Sequence, residues 1–85
     1  MPTLEDMETI TADLKDAWDR AKAANNEAAA QAIDDVIVNA GQVLGWWARA
    51  DLAGDQDELV QCQEMARGIE WAGKALLERA AKECP

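Results

Sequence analysis

The side chains this chain offers for chemistry are carboxylates, amines and two thiols. It contains no histidine, serine or tyrosine. That excludes Ser-His-Asp and Cys-His nucleophilic sites, imidazole acid-base catalysis and histidine-containing zinc sites. Di-iron bundles built on Glu-x-x-His pairs fall on the same ground. Neither a GxxxxGKS/T nor a GxGxxG phosphate cradle is present. The acidic groupings have ordinary explanations. Asp34-Asp35 lies on the polar side of a predicted helix, and Asp55, Asp57 and Glu58 stand at a helix start without calcium-loop spacing. Cys62 and Cys84 lack CxxC spacing. Cys62 falls in an apolar seam, as a small buried hydrophobe would, and nothing around it supplies the positive charge of a reactive thiol. Both thiols are therefore read as free. The expectation is a protein with no catalytic residues, no metal and no cofactor, and not an enzyme.

Charge then narrows the partners. The 85 residues carry a net charge of -9, with nine acids against three bases in residues 1–35. Such a field repels nucleic acid and anionic lipid and favours encounter with basic surfaces. A protein partner with a basic surface is expected, with no direct nucleic-acid or membrane binding. No uncharged run of membrane-spanning length occurs, and the acidic start is unlike the basic start of a signal peptide. A cytoplasmic location is the expectation.

What must position these residues is helix. The length suits one domain spanning 1–85, and the periodicity predicts three amphipathic helices and no strand. The first starts at Thr3, with Glu5 and Asp6 at the positive end of its dipole. Its predicted apolar stripe is Leu4, Met7, Thr11, Leu14, Trp18 and Ala21. The stripe loses phase at Asn25-Asn26, where a turn is expected, with one continuous bent helix as the alternative. A second helix runs to about Leu52 on a stripe of Ala29, Ile33, Val36, Ala40, Val43 and Trp47, widened by Ile37 and Leu44, with Gly54 as its stop. The third starts at Asp55, with Glu58 completing a capping-box pattern. Leu59, Cys62, Ala66, Ile69, Gly73, Leu76 and Ala80 then keep an unbroken a/d seam. The short Ala53-Gly54 turn makes the second and third helices an antiparallel hairpin. The first closes a small all-α antiparallel three-helix bundle.

Some residues do not suit a plain bundle. Projected at about 100° per residue, Trp71 points away from the third helix's seam, among Val60, Glu64, Arg67, Lys74, Ala75 and Glu78. Arg67, one turn earlier, is placed to lie over the indole. An exposed tryptophan ringed by charge has the makeup of an interface anchor. Trp71 and Arg67 are therefore candidate protein-binding residues, with Asp13, Asp16 and Asp19 of the acidic first helix and Trp46 on the flank of the second. The second helix is apolar on two sides, because Val38, Gly41, Gly45 and Leu52 occupy its back. Either the first helix crosses that back or a second copy does. The homodimer reading makes Val38, Gly41 and Gly45 the dimer interface.

Trp71-Ala72-Gly73 reads as Trp-x-Gly, but deep inside a helix and not at the hairpin turn where secreted helical-hairpin proteins carry that motif. Residues 69–76 are similar to a hairpin of phage proteins that sequester cyclic-nucleotide signals, although the acidity here does not suit an anionic ligand. As a type, a small acidic helical chain without catalytic residues resembles phage-encoded inhibitors of host defence, including anti-CRISPR proteins. The resemblance implies a stoichiometric inhibitor of a host defence or nucleic-acid-binding complex. The alternative is a self-assembling structural or chaperone subunit acting through a helical homodimer.

Overall fold

A computed structural model describes residues 2–83. The chain folds into α1 (Leu4–Ala23), α2 (Glu27–Ala53) and α3 (Gln56–Glu83), and each helix packs on the other two. The described residues contain no strand. The bundle is a rod with extents of 44 × 18 × 17 Å.

Each helix begins on the cap its sequence announces. Thr3 accepts from the Asp6 amide at 3.1 Å while the Asp6 carboxylate accepts from the Thr3 amide at 2.9 Å, a reciprocal capping box. The Asn26 side chain accepts from the Ala29 amide at 3.1 Å, and Asp55 accepts from the Glu58 amide at 3.1 Å. The two turns repeat one motif. After α1, the Asn26 amide donates to the Ala21 carbonyl and the Asn25 amide to Lys22. After α2, the Asp55 amide donates to Ala50 and the Gly54 amide to Asp51. Both turns need one left-handed residue, supplied by Asn25 (φ 57) and by Gly54 (φ 69). The phase loss at Asn25-Asn26 is thus a true turn, and the continuous-helix alternative falls.

Successive helices are antiparallel. Ile33, early in α2, shares a cluster with Ala80 near the end of α3, while Val43 and Trp47 pack with Cys62 and Ala66. Cys62, Ala66, Gly73 and Ala80 are buried, and Leu59, Ile69 and Leu76 are partly so, as the seam requires. The stripe of α1 needs correction. Met7, Leu14 and Ala21 are buried as expected, but Ile10 and Ala17 complete the set. Leu4 is exposed, and Thr11 and Trp18 are only half-buried. The cause is a close approach to α3. A Cβ at Gly73 would lie 2.9 Å from Ile10 Cδ1 and 3.4 Å from Leu14 Cδ1, so Gly73 is the notch that receives α1. Bulky Trp18 is left on the flank, under the Lys22 ammonium 5.7 Å from its ring centroid.

Candidate protein-binding surface

No polar or charged side chain among the described residues is buried, and none of their His, Cys, Asp and Glu side chains form a group of three or more able to hold a metal. Cys62 is fully buried. Its burial pushes the thiol above the ordinary cysteine range, and the nearby Glu58 carboxylate adds to the effect. Cys84 lies outside the described residues. The features with binding character are on the surface.

Trp71 is 78% exposed. It stands beside an open depression on α3 lined also by Glu64, Arg67, Gly68, Glu70 and Lys74. Lys74 approaches Glu70 to 3.7 Å, so the charges around the indole are mixed and do not form an acidic patch. Arg67 borders the depression but does not cover the ring; among the described residues the cation over an indole is Lys22. Gly68 has nothing within 4 Å of where a Cβ would stand, which keeps the surface beside Trp71 low.

The same glycine lines a second groove, between α3 and α2. Val43 and Ile69 contribute to it, with Trp46 (38% exposed) and Met65 (40%) among its walls. None of its lining residues is charged. Gly68 therefore joins two of the sequence-predicted residues, Trp71 and Trp46, into one tract crossing α3. Met65 and Gly68 were missed by sequence reasoning. Met65 sits one position off the seam, and no periodicity tells which neighbour a flank residue will meet on another helix.

The acidic candidates gather less well. Asp13 lines a shallow depression between α1 and α3 with Asp6, Glu70 and Lys74, and Lys74 also borders the Trp71 depression. Asp13 thus reaches the Trp71 depression only across Lys74. Residues three apart step about 60° around a helix, so Asp16 and Asp19 turn progressively away, and Asp16 is already ion-paired with Arg20. Val38, Gly41 and Gly45 are exposed, and α1 does not cross them. Of the two coverings weighed for that face, the intramolecular one is overturned: α1 occupies the groove between the seams of α2 and α3.

Fold and surface together define a class: an acidic antiparallel three-helix bundle whose distinctive side chains lie outside and whose interior is apolar. Comparison with protein-family models, with curated proteins and with solved structures returned no match.

Proposed function

We propose that this chain is a non-catalytic protein-binding module, a stoichiometric inhibitor of the anti-CRISPR type that docks on a basic, nucleic-acid-binding surface of its partner. The observation that carries the reading is the exposed tract Trp71–Gly68–Met65–Trp46. Trp71, held in the open, adds little to folding, and Trp46 and Met65 keep more than a third of their surface exposed, yet large side chains of this kind suit the desolvated centre of an interface. Their low conformational freedom makes tryptophan a cheap anchor. The net charge of -9 supports a basic partner, because long-range attraction governs encounter while the aromatic tract governs residence.

The test is affinity capture from a bacterial lysate with wild type, Trp71→Ala and Asp16→Lys side by side. The proposal expects a partner retained by wild type and Asp16→Lys and lost with Trp71→Ala. Its binding to nucleic acid should weaken as the chain is titrated to one equivalent. Identical capture by wild type and Trp71→Ala would remove the tract from the mechanism. Undiminished nucleic-acid binding at saturation would remove the inhibitor reading.

A further inference from the structure

Charge is missing from the middle of α2. Between Asp35 and Arg49 no residue of that helix is charged on any side. Two sides are accounted for by the core and by the groove against α3, but the third faces outward and is still apolar. Val38 is 52% exposed there, and Leu52, beyond Arg49 on the same side, is 89% exposed. Gly41 and Gly45 would have nothing within 4 Å of an added Cβ. A helix apolar on an outward side is ordinarily covered there.

We propose that the covering is the same face of a second copy, with the two α2 helices antiparallel about a two-fold axis at the level of residue 43. Val38, Gly41, Gly45, Ala48 and Leu52 alternate steps of three and four, the spacing of a helix-packing seam. With the axis at that level, Gly41 of one copy stands opposite Gly45 of the other, and Val38 opposite Ala48. The smallest residues meet where the backbones come closest, and a larger side chain meets a small one to either side.

The edge of the face selects both orientation and occupant. Asp35, Gln42 and Arg49 recur at the seven-residue spacing that keeps them on one edge. An antiparallel two-fold pair brings the same edge of both copies together. Asp35 of each copy then faces Arg49 of the other, offset by about 3 Å along the axis, and the two Gln42 amides meet near the middle. A parallel pair would carry this edge to opposite sides of the interface and leave Asp35 and Arg49 of the two copies apart. Arg49 is the only cation of α2, and among the described residues it makes no ion pair. Asp35 accepts one hydrogen bond, from Gln31 at 3.0 Å. Asp34, the seam position before Val38, falls opposite Leu52 at either end; between those ends the face complements itself in size and its edge in charge, and this singles out a second copy as its occupant. The proposal does not rest on the partner-binding reading, because the pairing does not use Trp71.

Sedimentation equilibrium of the full chain across micromolar to submillimolar concentration tests the idea. Wild type should sediment as a dimer. Gly45→Leu should shift it to monomer with helicity intact, since the monomer has open space at that position. Arg49→Asp and Asp35→Arg should each weaken association roughly tenfold by setting like charges opposite one another. The double variant Asp35→Arg/Arg49→Asp should recover wild-type association. If Gly45→Leu loses helicity, the charge swap still decides. A wild type that is monomeric throughout, a dimer indifferent to a folded Gly45→Leu, or a double variant no better than either single change would overturn the proposal.

Discussion

Gly68 and Gly73 lie on the same helix and should respond in opposite directions to an added side chain. At Gly68 a methyl group meets nothing within 4 Å, so Gly68→Ala should gain the helix preference of alanine, up to about 1 kcal/mol. At Gly73 the same preference is opposed by Ile10 Cδ1 at 2.9 Å, on a side chain that is itself buried. Gly73→Leu should cost about 1–3 kcal/mol, the usual penalty for overfilling a packed site. Thermal melts should therefore rank Gly68→Ala above wild type and Gly73→Leu below it; a Gly73→Leu protein as stable as wild type would mean that α1 does not seat on this notch. Cys62 offers a second reading at this scale. Fully buried, with its thiol pushed up by desolvation and by Glu58, it should resist a thiol reagent in the folded Cys84→Ala protein and react once denaturant is added. Prompt labelling of the native protein would show that the seam opens. Asp6 ties stability to pH. Its hydrogen bonds to the Thr3 amide and hydroxyl hold its carboxyl below the ordinary value of 3.8. A depressed folded value stabilises the fold above the unfolded value, and that stability is lost as pH falls through the folded one. Asp6→Asn should thus melt earlier than wild type at neutral pH, and the gap should close below about pH 4. A gap that persists in acid would assign the loss to something other than ionisation.

The helices show where pattern suffices and where it does not. The seam of α3 was legible because its steps of three and four run unbroken from Leu59 to Ala80, leaving one face to bury. The caps were legible because Thr3, Asn26 and Asp55 each precede an apolar-periodic run and can satisfy free amides. The stripe of α1 was not, since Met7, Leu14 and Ala21 belong to two neighbouring stripes. One adds Ile10 and Ala17, the other Thr11 and Trp18, and apolar bulk pointed to the second. The choice is made on α3, where Gly73 admits Ile10. The tract joining Trp71 to Trp46 was hidden for the same kind of reason: each exposed side chain could be projected, but their meeting across Gly68 depends on how α2 lies against α3. The turns allow a test at this scale. Gly54→Ala forces a Cβ into the left-handed region and should cost roughly 1–2 kcal/mol, whereas Asn25→Gly relieves the milder strain at φ 57 and should raise the melting temperature slightly. Equal, small effects at both positions would show that these turns are not held in the left-handed conformation.

For the molecule as a whole, charge and aromatic surface are separable, and so are their effects on binding. Reversing Asp13, Asp16 and Asp19 to Lys replaces three of the negative charges behind the net -9 and brings it to -3. All three side chains are exposed, so the fold should survive the change. None of the three lines the Trp71 tract, so the change should act mainly through the long-range field. Association with a basic partner should slow and lose much of its salt dependence, while dissociation changes little. Trp71→Ala should do the reverse. The indole is 78% exposed, so stability should stay within about 0.5 kcal/mol of wild type, as for most surface substitutions. Loss of a central anchor should nonetheless raise the dissociation rate and cost roughly 2 kcal/mol or more of affinity. Comparing melting temperature with dissociation rate for this one variant is decisive, because a core residue and a contact residue move opposite members of the pair. A large drop in melting temperature with an unchanged dissociation rate would make Trp71 part of the fold, and the contact would then have to lie on a face that does not include it.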